Sequence, residues 1–382
     1  MHPPLSNALR AGWNGLSLYV LGPGVGECQV LLLPDGKVVV VDACMRDDRN
    51  LGVELLRALG VAGVDLFVVT HPDQDHVRGA AELLDAFPPG RVWMYPEHAS
   101  LRTVLVRAKR HAAALKIPVT NALRDLTHFA EALDRYHETA PRRVEAIRGT
   151  REPWRFAGMP YEIKPIAPTD DDERGAADAF RDLRAMPERK GAEFVAWMED
   201  FFRDGKRPKD HPNQLSIALS VEFHHRRILL GGDVERGEAT EGRGWAGIHL
   251  SLGDPSRNQL HLLRALDAVK IAHHGSCGAI HEQTWQEHIG GRSVPWGVIA
   301  PFRRQEEKLP RVDGLSKLRE FAPRLAITHT APDTRTAAAS AGWTEDTTII
   351  RQAEDFPMVA LRVPQAGPVE VSVWGDASVW RP

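Results

Sequence analysis

Cysteine is scarce in this sequence. Three occur in 382 residues, Cys28, Cys44 and Cys277. The number is odd and no Cys-x-x-Cys is present, so neither a disulfide framework nor a thiolate zinc site is expected, which fits a reducing compartment. Long apolar runs are missing as well. No stretch approaches the roughly 18 apolar residues of a membrane span, and the opening "MHPPLSNALRAGWNG" has no apolar signal core. A cytoplasmic protein with no membrane partner is the expectation. Neither sign of charge dominates: 48 Lys and Arg stand against 51 Asp and Glu, a net charge of −3. That balance argues against broad electrostatic binding to nucleic acid or membrane and leaves room only for local patches. Internal repeats and low-complexity linkers are absent too.

What is present is an ordinary globular composition, 43% hydrophobic and 26% charged, able to bury a sizeable core. "CQVLLLP", "DG" and "KVVVVDA" read as two strands joined by an Asp-Gly turn. "LGVELLRALG" has helical spacing and a terminal glycine, and the strand "DLFVVT" follows. "AAELLDAF" reads as a helix stopped by Pro88 and Pro89, and "RVWMY" as a strand. Residues 101–116 and 126–137 look helical, "YEIKPIAP" looks like a strand, and 170–210 is a highly charged helical stretch. "QLSIALSVEF" and "RRILLGGD" form a second hairpin around His224 and His225, which are expected at the surface. "VKIAHHGSCG", "WGVIAP", "RLAITHT" and "VEVSVW" are later strands. Strands alternating with helices predict an α/β layered sandwich.

Three strand ends concentrate polar chemistry: "VVTHPDQDH", "LLGGD" and "KIAHHGS". Loops at the ends of core strands are where a rigid scaffold holds functional groups. Imidazole and carboxylate suit divalent transition metals. His71 and Asp73 alternate along an extended backbone and can face one side, while Asp75 and His76, at the turn into a helix, address a second position. A solvated loop is the bland alternative for "HPDQDH" alone. The two later strand ends favour a metal.

These blocks, in this order, resemble the metallo-β-lactamase fold superfamily, whose signature is His-x-His-x-Asp-His. The nearer resemblance is to the metallo-β-lactamase-like domain of the competence DNA-uptake protein ComEC, where the second His is commonly Asp. "GPGVGECQVLLLPDGKVVVVDA", "THPDQDHVRG", "NQLSIALSV", "ILLGGDVE" and "VKIAHHGS" carry the likeness, over about residues 16–330. It implies a single αββα four-layer domain over 1–382, with insertions at about 97–160, 170–212 and 236–260. The membrane channel that accompanies the competence domain has no counterpart here.

The resemblance implies a metal shell of His71, Asp73, Asp75, His76, Asp233 and His274 around one or two divalent ions, zinc or manganese, with Asp233 as the bridging carboxylate. Which of His273 and His274 is the ligand stays open; Asp75 and His273 are the expected catalytic pair. Asp42 is expected to support the shell by hydrogen bonds rather than join it. No "GHT"-type block supplies a third ligand to the first metal, and His98 is the nearest candidate. His329 ends a late strand and is a candidate for the cleft. Ser276 reads as an N-cap rather than a nucleophile.

The expected reaction is hydrolysis by a metal-activated hydroxide. A phosphodiesterase or nuclease is favoured, with nucleic acid or a small phosphodiester as substrate. Arg303 and Arg304 match a basic, phosphate-facing loop of the related domain. A basic helical segment carries Arg102, Arg107, Lys109, Arg110 and Lys116, for which pairing with Glu on a solvated face is an equal reading. Thioester or lactone hydrolysis on the same fold is the alternative. A non-catalytic, metal-stabilised module meeting a protein partner through 170–212 is the third.

Overall fold

Alternation along the strands builds the layers. In Leu16–Leu21, Leu16, Leu18 and Val20 enter one apolar cluster while Tyr19 and Leu21 enter another. Val39 and Val41 of Val38–Val41, and Leu66 and Val68 of Leu66–Val69, join the first; Val38, Val40, Phe67 and Val69 join the second. Successive side chains of a strand point to opposite faces, so a strand buried on both faces must be apolar throughout. The first cluster also takes Ile228, Leu230, Ala268 and Val298 from a second sheet. It is therefore the core between two sheets.

The computed structural model describes residues 15–382 apart from 156–157, 186–190, 202–211, 290–295, 305–306, 350 and 353–355. The first sheet runs Arg351–Gln352, Glu370–Trp374, Met358–Val363, Leu16–Leu21, Cys28–Leu32, Val38–Val41, Leu66–Val69, Val92–Met94, Val144–Ala146. The second runs Thr344–Glu345, Ser378–Arg381, Arg324–Ile327, Trp296–Ile299, Ala268–Lys270, Arg226–Leu230, Leu219–Phe223, Tyr161–Pro165, Trp154–Arg155. Helices Leu51–Leu59, Ala80–Ala86, His98–Leu115 and Asn121–Thr139 cover the first sheet. Gly244–Gly253, Val312–Phe321 and Pro332–Ser340 cover the second. The result is an αββα sandwich in four layers.

Local signals explain several boundaries. Asn50 caps Leu51–Leu59 by accepting from Val53 N at 3.0 Å, and Gly60 closes the helix in the left-handed region, the usual pair of stops. Several strands stand outside the sequence expectation, two of them internal to the sheets. Met358–Val363 lies beside Leu16–Leu21, and Ser378–Arg381 lies beside Arg324–Ile327. Within the segment 97–160, Val144–Ala146 and Trp154–Arg155 lengthen one sheet each. The charged stretch forms helices Asp170–Ala185 and Gly191–Phe201, and the remainder of 170–212 up to Pro212 lies outside the described residues. No described helix is long and apolar enough to cross a membrane.

Parallel pairing decides where function can sit. Val38–Val41, Leu66–Val69 and Val92–Met94 are parallel in the first sheet, as are Arg226–Leu230, Ala268–Lys270, Trp296–Ile299 and Arg324–Ile327 in the second. Their carboxyl ends lead into Asp42, His71, Asp233, His274 and Ala300, which meet across the seam. In open α/β sheets the crevice outside the strands' carboxyl ends is the usual ligand site.

Candidate metal centre

His71, Asp73, Asp75, His76, Asp233 and His274 are all buried. After Leu66–Val69 the chain runs extended through Asp73, then turns into the short helix Gln74–Val77, which lifts Asp75 and His76. His76 Nε2 lies 3.4 Å from Asp75 Oδ2 and 3.4 Å from Asp233 Oδ2. His274 Nε2 lies 3.0 Å from Asp75 Oδ2 and 3.3 Å from Asp233 Oδ2. His71 Nε2 is 3.5 Å from Asp73 Oδ2, and the His71 and His76 rings are 4.1 Å apart. The first sheet supplies four of these side chains and the second supplies two.

The other ring nitrogens fix the tautomers. His76 Nδ1 donates to Asp42 Oδ2 at 2.7 Å, and Asp42 also accepts from Thr70 N and Thr70 Oγ1, each at 2.8 Å. With its hydroxyl proton given to Asp42, Thr70 Oγ1 accepts from His71 Nδ1 at 2.9 Å. His274 Nδ1 donates to the Ala300 carbonyl at 2.9 Å. Each Nδ1 is thus engaged and each Nε2 is turned towards the carboxylates, the arrangement that outer hydrogen bonds impose on metal-ligating histidines. His71 Nε2, His76 Nε2 and Asp233 Oδ1 are buried without a hydrogen-bond partner. Buried polar atoms of that kind call for an ion or water. The donor set fits a divalent cation.

Charge is shared tightly. Burial opposes ionisation of Asp75, but His76 and His274 hold its carboxyl well below the usual range. Asp233 is likewise held low against its burial by His274 and His76. Burial alone would keep His274 neutral, yet Asp233, Asp75 and Glu27 push it up to about 10. His76 is raised against its burial by Asp233, Asp75 and Asp42. Protons on the two rings supply the positive charge that the carboxylates demand, and a cation would displace them.

Two further residues belong to the cluster and were not singled out from sequence. Lys270 and Glu27 form a fully buried ion pair. Gln29 Nε2 donates to Glu27 at 2.9 Å, Glu27 Oε2 lies 3.4 Å from His274 Nδ1, and Lys270 Nζ is 4.0 Å from Asp233 Oδ1. The signal was available: a lysine inside the apolar run "AVKIA" is rare unless paired. Ser216 was also missed; its hydroxyl accepts from Asp233 N at 2.8 Å. Gly26 (φ 84°) passes so close to the metal loop that a Cβ there would meet the Asp75 carbonyl at 2.9 Å.

The paired histidines separate cleanly. His274 enters the cluster, whereas His273 sits at its rim, with Nε2 3.5 Å from Asn213 Nδ2 and Nδ1 3.7 Å from Glu235 Oε1. Both residues adopt left-handed backbone, φ 45° and 52°, which costs a non-glycine residue about 1–2 kcal/mol. Asp42 bears its carboxylate on a left-handed backbone too, φ 59°.

The other sequence candidates divide between the cleft and sites away from it. His98 does not supply the third ligand: its Nδ1 lies 3.3 Å from the Tyr95 carbonyl and its ring stands edge-on to Tyr95. Among the described residues, the close-set potential ligands at the centre are Glu27, His76, Asp233 and His274. His329 pairs with Asp376 at 3.4 Å and packs over Gly24. Arg303 turns away to Asp333 and Thr334. Arg304 reaches the cleft beside Asp75, a hollow of about 250 Å³ also lined by Arg78, Gln74 and Asn121, and donates to Gln74 Oε1 at 2.8 Å. In the basic helix, Arg102 pairs with Asp134 and Lys109 with Glu131, while Arg107 stacks on Phe194. For those three the acid-paired or packed reading is the one realised. Ser276 accepts from Gly278 N as a cap.

A second trio, His249, Glu287 and His288, is also close-set. Arg264 Nε donates to His288 Nδ1 at 3.1 Å, and burial with nearby His249 and Arg264 lowers its pKa. The neutral ring therefore carries its proton on Nε2, facing Glu287 at 3.6 Å. A proton stands where a cation needs a lone pair.

A model described as the metallo-beta-lactamase superfamily matches residues 23–275. No curated protein matched the sequence. Among solved structures, the metallo-β-lactamase SMB-1 bound to 2-mercaptoethanesulfonate is similar at 12% identity, covering 67% of this chain and 76% of that one, with a TM-score of 0.31. A metallo-β-lactamase of Cronobacter sakazakii with a HARLDQ motif is similar at 15% identity, with coverage of 68% and 78% and a TM-score of 0.30. A metallo hydrolase of the archaeon Ignicoccus hospitalis is similar at 9% identity, with coverage of 68% and 83% and a TM-score of 0.28.

Proposed function

This chain belongs to the metallo-β-lactamase superfamily, and on that premise we propose that it is a metal-dependent phosphodiesterase acting on nucleic acid or a smaller phosphodiester. His71, Asp73, Asp75, His76, Asp233 and His274 would hold one or two ions, with zinc and manganese suited to the mixed nitrogen and oxygen donors. When bound, a divalent cation supplies Lewis acidity and a nucleophilic water at neutral pH.

The observation that carries the choice of substrate is the composition of the cleft. Arg304 and Arg78 line the same hollow as Asp75. Arg304 donates to the Gln74 amide oxygen and Arg78 to the Asp47 carbonyl. Two guanidiniums beside the reacting centre suit a phosphoryl group, which accepts their forked donors. His273, at the rim between Asn213 and Glu235, is placed to give a proton to the leaving oxygen. Asp73 in place of the second signature His, with the "HHGS" block, supports the nearer likeness to the ComEC-type domain.

The test is hydrolysis of bis-p-nitrophenyl phosphate, DNA and RNA by protein loaded with manganese or zinc, beside a thioester and lactone panel. Phosphodiester turnover is expected, with Arg304→Ala raising KM more than it lowers kcat. Turnover of thioesters or lactones with intact phosphodiesters would overturn the proposal. Asp42 gives a second check. Asparagine is near-isosteric and tolerates left-handed backbone, yet removes the charge behind His76. Asp42→Asn is expected to weaken metal affinity about 10–100-fold, measured by competition with a chromogenic chelator.

A further inference from the structure

A hollow larger than the metal-side cleft lies away from the metal centre. About 560 Å³ opens between helices His98–Leu115 and Asn121–Thr139, more than twice the roughly 250 Å³ of the metal-side cleft. Its walls are Ala112, Ala113, Ile117, Val119 and Leu123. The alanines are too small to fill the space between the helices, and Lys116, in the left-handed region at φ 54°, turns the chain out of the first helix. Small-molecule sites commonly have this volume and an apolar lining with a few polar groups.

The polar groups are unevenly matched. Lys109, Lys116 and Arg124 line the hollow, with Glu131 and Asp125. Glu131 is taken by Lys109, and Asp125 accepts from Gln74 Nε2 at 2.6 Å. The Arg124 guanidinium donates to the Asn121 amide oxygen at 3.1 Å. Among the described residues no carboxylate pairs with Lys116 or Arg124. We propose that this inter-helix hollow binds an amphipathic organic anion, its apolar tail against Ala113 and Leu123 and its anionic head between Lys116 and Arg124.

The hollow adjoins the metal loop. Asp125 and His128 also line a neighbouring cavity with Met45 and Arg78, and Met45 and Arg78 line the metal-side cleft. Gln74, the partner of Asp125, stands between Asp73 and Asp75. A ligand in the hollow therefore touches the helix that braces this loop. The binding inference is independent of the phosphodiester reading, since it needs no metal.

Decanoate, decanol and acetate, titrated calorimetrically into the full-length protein, test it. Decanoate is expected to bind at one site, acetate not at all, and decanol at least 10-fold more weakly than decanoate. Ala113→Trp, a substitution at an exposed position, fills the hollow and should weaken decanoate at least 10-fold. Lys116→Glu with Arg124→Glu should weaken decanoate about 10-fold and leave decanol unchanged. A circular-dichroism melt within a few degrees of the parent shows that each variant folds. Absence of decanoate binding, binding indifferent to Ala113→Trp, or equal binding of decanol and decanoate would each overturn the proposal. So would a dimer in sedimentation that Ala113→Trp dissolves, since a second copy would then be the occupant.

Discussion

Lys270→Met should lower the unfolding free energy by about 3–5 kcal/mol, the usual cost of removing one partner from a buried ion pair. Lys270 and Glu27 are both fully buried and in contact. Methionine keeps much of the volume but leaves Glu27 near Asp233 with only the His274 ring, 3.4 Å away, to balance it. The penalty is chiefly that of an uncompensated charge, so pairing the change with Glu27→Gln should recover most of it. Urea titrations of metal-free parent, single and double variants read the difference directly. A single variant as stable as its parent would mean that the pair carries little charge in the folded protein.

Asp75→Ala should abolish metal-dependent hydrolysis, lowering kcat/KM by at least about 10³-fold. Such a factor corresponds to roughly 4 kcal/mol of transition-state stabilisation, well within what metal-ion catalysis supplies. Asp75 meets both His76 and His274 and lines the cleft, so it joins the two sheets' contributions where substrate would enter. Its position at the cleft edge, rather than in any apolar cluster, allows the variant to stay folded. Metal content by mass spectrometry and the rate on bis-p-nitrophenyl phosphate are measured together. Full metal content with an undiminished rate would remove Asp75 from the centre.

Much of this arrangement was legible in sequence because its signals are local. The Asp-Gly hairpin, the capped helix ending at Gly60 and the polar strand ends each rest on neighbouring residues. Convergence of His71, Asp75, Asp233 and His274 needed the family resemblance, since no local rule joins positions some 200 residues apart. Met358–Val363 was missed because its partner, Leu16–Leu21, lies at the other end of the chain. Lys270 was passed over as a strand residue, although charge within an apolar run is itself a sign, and Glu27 was passed over in the glycine-rich stretch before Cys28. His98 was misplaced for the opposite reason. Proximity in sequence suggested a ligand, and the following helix carried the ring to Tyr95 instead.

The division of the ligand set between two sheets has a consequence for how the chain can be cut. His71 through His76 come from the first sheet's strand ends, Asp233 and His274 from the second's, and Ile217 N donates to the Thr70 carbonyl at 3.2 Å across the join. Four candidate donors come from the first portion and two from the second, so the full set exists only where the two portions meet. A proteolytic nick between them leaves two fragments that must stay associated for all six candidate donors to face one another. The complete donor set is a property of assembly, even though one polypeptide does the assembling.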